Sequence, residues 1–139
     1  MSKIDIDRII KQRDQRVREK NVAKAVNAIR DLCHGASLAS GWWHDTDTFD
    51  PHIVPTKLML AVTELAEAME GHRKNLMDDH LPHRKMIEVE LADAVIRIAD
   101  LAGWLGLDLG GALVEKLAYN KVRADHKLEV RQRDGGKAY

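Results

Sequence analysis

Apolar residues recur at helical intervals along most of the chain. The first such segment is 5–34, with Gly35 as its predicted end. It reads as one helix or as two, because Ile6, Ile9 and Ile10 are out of phase with the later apolar positions. Three further helices are predicted at 56–72, 82–103 and 108–125. Since no stretch of useful length alternates like a strand, the pattern predicts an all-α fold similar to a four-helix bundle.

Residues that break helical periodicity separate these segments. Gly, Ser, Asp and Pro residues predict a loop over 35–55, after which Thr56 is a candidate N-cap. A polar connector covers 72–83, and Pro82 suits the first turn of the helix that follows. Asp108 is placed to open the last helix.

The segment Met86–Trp104 has an unusual distribution of charge for a helix. Almost all of its positions are apolar, so it is expected to be buried on most sides. Four ionisable residues share a stripe about 80° wide on its helical wheel, namely Glu90, Asp93, Arg97 and Asp100. Glu88 lies on the opposite side. Because unpaired buried carboxylates are costly, this stripe must face a partner, an ion or a wet cleft.

The preceding helix carries a matching pair of acids. Its apolar face is predicted to contain Leu58, Ala61, Leu65, Ala68 and Met69. Glu64 and Glu67 lie beside that face, three residues apart. If the two helices pack antiparallel, Glu64, Glu67, Glu90 and Asp93 converge, and four like charges require cations among them. Carboxylate oxygens suit hard ions, so the residues predict a Mg²⁺ site that Mn²⁺ can also occupy.

Another interpretation is an internal salt-bridge network, in which Arg97 pairs with Asp93 and Asp100 on its own helix. One arginine cannot neutralise all of the acids, which favours the metal site. The sequence lacks the motifs of two other kinds of site. No glutamate has a histidine three residues on, as di-iron bundles require, and no P-loop is present.

Composition narrows the class of protein further. The 139 residues suit one domain, 1–139, with a charged and mobile tail over 126–139. The chain has 22 lysine and arginine residues and 22 aspartate and glutamate residues. This balance of charge does not predict electrostatic binding to nucleic acid or to a membrane surface. A single cysteine, Cys33, and the lack of an apolar run of membrane-spanning length indicate a cytoplasmic protein.

Three segments together resemble the MazG-like group of all-α nucleoside triphosphate pyrophosphohydrolases. They are KLMLAVTELAEAMEGHRK (57–74), EVELADAVIRIADLAGWLGLDL (88–109) and KLAYNKVRADHK (116–127). The resemblance implies hydrolysis of nucleotides between the α and β phosphates with magnesium, in a homodimer or homotetramer. Dimerisation also agrees with the apolar character of the helix 82–103, which three neighbours in so small a chain would not cover.

The resemblance also implies roles for individual residues. Glu64, Glu67, Glu90 and Asp93 would be metal ligands, and Lys116, Asn120 and Arg123 would contact substrate phosphates. We assign Glu67 as the carboxylate that takes the proton of the attacking water. The tail departs from the family pattern. Relatives often run from the arginine through a short segment to an end like His-Gly-Gly-Lys, whereas KLEVRQRD precedes Gly135 here, and so we assign no role to Lys137.

Three residues outside these motifs are further candidates for substrate binding. Lys57 lies two turns before Glu64 and is either a phosphate contact or a solvated lysine. Trp42 or Trp43 either stacks on a base or covers the core. Two other functions stay open, a same-fold hydrolase of another pyrophosphate compound such as a phosphoribosyl nucleotide, and a non-catalytic helical interaction module.

Overall fold

A computed structural model describes residues 3–44, 50–123 and 127–133 of the chain. Within these ranges the protein is helical, which confirms the all-α prediction, and the one extended pairing is an isolated bridge between Met77 and Lys85. The helices are α1 (Lys3–Ala39), α2 (Ile53–Lys74), α3 (Met86–Trp104), α4 (Leu109–Val122) and α5 (Leu128–Arg131). None of the described helices has the length and apolar character needed to cross a membrane.

The chain divides into two compact units, and α1 contributes to both. One unit comprises Met1–Asn27 and Asp108–Tyr139, and the other comprises Ala28–Leu107. The first predicted segment is one continuous helix rather than two, and its two parts belong to different units. The assignment of a single domain over 1–139 stays a prediction. Lys137 lies outside the described residues.

Three helices end in the same hydrogen-bonded motif, in which a residue with positive φ terminates the helix. In α1 this residue is Gly41, with φ 74°, and the amide of Trp42 donates to the carbonyl of Ser37 at 3.1 Å. Asn75 ends α2 and Gly106 ends α3 in the same way. The prediction that Gly35 stops the first helix is wrong, because the glycine that adopts the left-handed conformation lies six residues later.

The start of α2 also differs from its prediction. The helix begins at Ile53 with His52 as N-cap, so Thr56 does not cap it. Pro55 is accommodated in the first turn, where a backbone N–H has no helical acceptor to lose. The amide of His52 donates to Oδ1 of Asp50 at 2.8 Å, which fixes the entry to the helix.

Pro82 does not open α3 as predicted, because the connector folds into a closed loop before the helix starts. The buried side chain of Asp78 accepts hydrogen bonds from the amides of His80 and Leu81 through Oδ1, at 3.0 and 2.6 Å. The amide of Asp78 donates to the carbonyl of Arg84 at 3.1 Å. These bonds hold the loop in place, and α3 begins only at Met86.

Asp108 caps α4, as predicted. Its Oδ1 accepts from the amide of Gly111 at 2.9 Å and from Nδ2 of Asn27 at 2.7 Å. Gly110 lies so close to α1 that a Cβ there would be 2.1 Å from the carbonyl oxygen of Ala23. Within their unit, α4 is therefore held against residues 23–27 of α1 by a side-chain hydrogen bond of its cap and by a close helix contact. The helix ends at Val122, short of the predicted end at residue 125.

Small residues form the contact between α2 and α3. The buried residues of α2 are Ala61, Glu64, Ala68 and Gly71, spaced along one face. A Cβ on Gly71 would lie 2.8 Å from Cβ of Met86, so the end of α2 meets the start of α3 and the helices are antiparallel. The predicted apolar face of α2 is only partly correct, since three of its members are about half exposed or more: Leu58, Leu65 and Met69.

Candidate metal centre

Three carboxylates converge between α2 and α3. One oxygen each from Glu64, Glu90 and Asp93 lies within 4.8 Å of the others. Glu64 and Glu90 are buried, at 8% exposure each, and Asp93 is partly buried. We call these three residues the acidic cluster. Glu90 and Asp93 lie about one turn apart on α3, and Glu64 of the antiparallel helix α2 faces them. The two carboxylates of α3 can therefore lie on either side of the one from α2.

The fourth predicted ligand has a different position. Glu67 is exposed and lies outside the group whose oxygens are within reach of one another. Its charge still acts on the cluster, since it contributes to raising the pKa of Glu90. Glu67 therefore lies at the rim of the acidic cluster, and its roles as ligand and proton acceptor stay predictions.

Mutual repulsion and burial disfavour the charged form of two of these acids. Burial raises the pKa of Glu90 above its usual value, as do the charges of Glu67, Glu64 and Asp93 and a hydrogen bond with Glu64. Burial also raises the pKa of Asp93, and the charges of Glu64 and Asp78 act in the same direction. For both Glu90 and Asp93, the effects that raise the pKa outweigh those that lower it.

The donor set fits a hard divalent cation. All of the candidate ligand atoms are carboxylate oxygens from two rigid helices, and such oxygens are the protein ligands that Mg²⁺ and Mn²⁺ prefer. No histidine or cysteine belongs to the cluster in the described residues, which argues against a zinc site of the usual composition. The three side chains that would hold the ion are Glu64, Glu90 and Asp93.

Arg97 joins the cluster from α3. Its Nε donates to Oε1 of Glu64 at 3.0 Å, and its charge lowers the pKa of Asp93 against the effects that raise it. The salt-bridge interpretation placed Arg97 with Asp93 and Asp100 on its own helix, whereas its ion pair is formed with Glu64 of α2. The reason is that the antiparallel packing brings Glu64 to the same point on the helix surface.

A cavity of about 270 Å³ opens beside the acidic cluster. Two of the predicted substrate contacts, Lys57 and Trp42, line it together with Arg97. Trp42 is 67% exposed, so its ring is accessible to a ligand. The remaining lining residues are Ser37, Glu64, Asp93, Ile96 and Asp100.

Trp43 occupies a different environment from Trp42. It is buried, at 9% exposure, and stacks on Trp104 with ring centroids 4.8 Å apart and planes inclined by 11°. Its Nε1 donates to Oδ1 of Asp100 at 2.8 Å. Lys57 places its Nζ 4.1 Å from the centroid of the Trp43 ring. Of the two interpretations of the tryptophans, Trp43 takes the core position and Trp42 the position at the cavity.

Asp100 and His34 form a polar pair that the sequence analysis did not find. Nδ1 of His34 lies 2.9 Å from the same Asp100 oxygen that accepts from Trp43. The helical wheel placed Asp100 on the charged stripe. Its partners Trp43 and His34 are 57 and 66 positions away in the sequence, and the spacing within one helix does not predict contacts over such separations. Asp78 was also missed, because it lies in a connector without periodicity.

The stripe predicted on the last helix lies in the unit that contains α4. Lys116 and Arg123 both place their cationic groups over the ring of Tyr119, at 4.8 and 5.7 Å from its centroid. The helical wheel grouped Arg123 with Lys116 and Asn120. Arg123 lies after the last residue of α4 and has extended backbone, so the helical spacing does not apply to it. Oδ1 of Asn120 is buried and has no hydrogen-bond partner among the described residues.

Comparison with protein-family models, with curated proteins and with solved structures found no match for this chain. The assignment of function therefore depends on the geometry of the acidic cluster and on the residue pattern alone.

Proposed function

We propose that this protein is a Mg²⁺-dependent nucleoside triphosphate pyrophosphohydrolase with the all-α NTP pyrophosphatase fold. The observation that supports the proposal most directly is the convergence of Glu64, Glu90 and Asp93 from two antiparallel helices. A polyphosphate bound to a carboxylate-held cation needs further cations around it. Arg97 and Lys57 line the cavity beside the cluster and supply them.

Different residues bind the metal ion, accept the proton of the attacking water and bind the substrate in this proposal. Glu64, Glu90 and Asp93 hold the ion, which when bound supplies neutralisation of phosphoryl charge and a lower pKa for water. Glu67, exposed at the rim, accepts the proton of the attacking water. Trp42 stacks on the base. The resemblance also assigns phosphate contacts to Lys116, Asn120 and Arg123, which belong to the unit that contains α4.

The decisive experiment identifies the products and compares two matched variants. Wild-type protein with Mg²⁺ and each common nucleoside triphosphate should release monophosphate and pyrophosphate. Glu90→Gln keeps the shape of the side chain but removes one charge, and should lower the rate by about 100-fold or more. Glu88→Gln changes an exposed acid of the same helix that pairs with Arg84, and should leave turnover intact.

Three results would contradict this proposal. Release of diphosphate and phosphate would refute the cleavage position. Full activity in a folded Glu90→Gln protein would show that the metal site is wrongly placed. Cleavage of a phosphoribosyl nucleotide in preference to every triphosphate would replace the substrate class, and no turnover together with no metal binding would favour an interaction module.

We also propose that the protein functions as a homodimer or homotetramer in the cytoplasm. Among the described side chains, no large one is less than 2% exposed, and the buried apolar residues are mostly alanines. Large apolar side chains of α2 and α3 are exposed instead, among them Leu58, Met59, Val62, Met69, Val95 and Ile98. A stable monomer at micromolar concentration in sedimentation velocity would refute the assembly.

A further inference from the structure

The guanidinium of Arg97 occupies the position of a counterion in the acidic cluster. Its Nε contacts Oε1 of Glu64 at 3.0 Å, and its charge acts on Asp93 as well. The Glu64 side chain is only 10% exposed, whereas that of Arg97 is 39% exposed and lines the neighbouring cavity. One end of the ion pair is therefore fixed in the helix contact, and the other has room to move.

A divalent cation held by this cluster would compete with Arg97 for Glu64. An arginine guanidinium is a permanent cation in proteins, so its repulsion of a bound cation is relieved only if the side chain moves. A cation and a guanidinium on one carboxylate repel each other at a separation of a few ångströms. The half-exposed Arg97 can reorient into the cavity, whereas Glu64 is buried against α3.

We propose that Arg97 is the resident counterion of the metal-free cluster and moves from Glu64 to a substrate phosphate when the cation binds. This inference rests on the proposed function, because it takes a nucleoside polyphosphate as the ligand of the cavity. The planar guanidinium matches two phosphate oxygens at once, and Lys57 lines the same cavity. Arg97 thereby connects metal occupancy to anion affinity.

The exchange has a consequence for the order of binding. Without the cation, the carboxylates of Glu64 and Asp93 face the cavity and repel a polyphosphate, and Arg97 is engaged with Glu64. With the cation bound, the carboxylate charge is neutralised and Arg97 is released. Inorganic tripolyphosphate should therefore bind to the Mn²⁺-loaded protein and bind at least about 10-fold more weakly to the metal-free protein.

Calorimetric titrations on four proteins test this inference without any turnover. They are wild type, Arg97→Gln, Arg97→Lys and the control Arg84→Gln, which removes the arginine of the exposed pair with Glu88. Each is titrated first with Mn²⁺ and then, in excess Mn²⁺, with tripolyphosphate. Circular dichroism melts establish that each variant is folded.

The proposal predicts opposite signs for the two ligands. Arg97→Gln should bind Mn²⁺ about 3- to 10-fold more tightly, since the competing cation is gone, and tripolyphosphate about 10-fold more weakly. Arg97→Lys keeps the charge and should stay within about 3-fold of wild type for Mn²⁺, with intermediate loss for tripolyphosphate. Arg84→Gln should change either affinity by less than about 2-fold.

Each alternative result overturns a stated step. Weaker Mn²⁺ binding in folded Arg97→Gln would show that Arg97 supports Glu64 as a ligand rather than competing for it. Tighter Mn²⁺ binding with unchanged tripolyphosphate affinity would overturn the transfer to phosphate. Wild-type protein that takes up no Mn²⁺ would overturn this inference and the proposed function together, whereas a wrong response of Arg97 alone overturns only this inference.

Discussion

Replacing Glu90 with glutamine should stabilise the protein in metal-free buffer. Glu90 is 8% exposed, and its pKa is raised by burial and by the charges of Glu67, Glu64 and Asp93. Glutamine keeps the size of the side chain, and its amide can donate to Glu64 as the protonated acid does. The substitution therefore removes the repulsion with little change in packing.

The size of the effect follows from the separation of the charges. Two unit charges at 4.8 Å, the limit that the cluster geometry sets, repel by about 3 kcal/mol at an effective dielectric constant of about 20. Arg97 offsets part of this repulsion through its ion pair with Glu64. We expect the free energy of unfolding to rise by about 1–3 kcal/mol near pH 7.5, or about 3–10 °C in Tm.

The gain should depend on pH in a defined direction. Since folding raises the pKa of Glu90, the folded state holds this proton more tightly than the unfolded state. The resulting stabilisation is complete below the ordinary pKa and is lost as the pH rises through the raised one. Wild type and Glu90→Gln should therefore have similar stability near pH 4, and the variant should gain its advantage as the pH rises toward neutral.

Chemical denaturation in EDTA at a series of pH values measures this difference, with Glu88→Gln as the control. The control removes an exposed charge paired with Arg84 and should shift the unfolding free energy by no more than about 0.5 kcal/mol. Millimolar Mg²⁺ should stabilise wild type and reverse the order of wild type and Glu90→Gln. An offset that is constant with pH, or a Glu90→Gln protein that is less stable at pH 7.5, would refute the repulsion.

Three substitutions test the architecture around the site by thermal or chemical unfolding. Gly71→Leu should destabilise the protein by about 1–3 kcal/mol, because its Cβ would meet Met86 at 2.8 Å; an unchanged Tm would mean that α2 and α3 do not approach this closely. Asp108→Ala should cost about 1 kcal/mol through loss of the α4 cap, with a smaller loss in Asp108→Asn. Trp43→Phe keeps much of the stacking but leaves Asp100 without one donor, at a cost of about 1 kcal/mol or more, and equal stability would contradict the Trp43–Asp100 hydrogen bond.

Local spacing was sufficient to predict the centre of the candidate site. E-x-x-E and E-x-x-D each place two carboxylates on one side of a helix, and antiparallel packing of neighbouring helices is the simplest arrangement for a short connector. In the structure, Glu64, Glu90 and Asp93 come together through this spacing and this antiparallel packing. Spacing does not define how far around the helix the contact extends, and so it does not predict that Glu67 is exposed whereas Glu64 is buried.

Helix ends were less predictable, because several residues of the same type compete for each one. Gly35 and Gly41 are both plausible stops for α1, and Gly41 is the one with positive φ. Pro82 suits the first turn of a helix. The hydrogen bonds to Asp78 instead hold this part of the connector in a loop, and α3 begins only after it. Such outcomes depend on the whole loop rather than on one residue.

Long-range polar contacts could not be predicted at all. His34 and Trp43 meet on Asp100 although they are 66 and 57 positions away in the sequence. Periodicity describes the face on which a residue lies within its own helix, and not the neighbour that the face meets. For the same reason the large apolar residues of α2 were predicted inward, whereas the buried apolar residues of α2 are alanine and glycine.

The small-residue contact between α2 and α3 also bears on the order in which the protein folds. Glu64 and Glu90 are joined by a connector that bends back within a single helical hairpin, so few residues must be ordered before they meet. Contacts of such short sequence separation form fast, whereas the contact between Gly110 and Ala23 must close most of the chain. The acidic cluster can therefore assemble early, on a partly folded chain. If it binds a divalent cation as proposed, the cation would favour folding of this hairpin before α4 is in place.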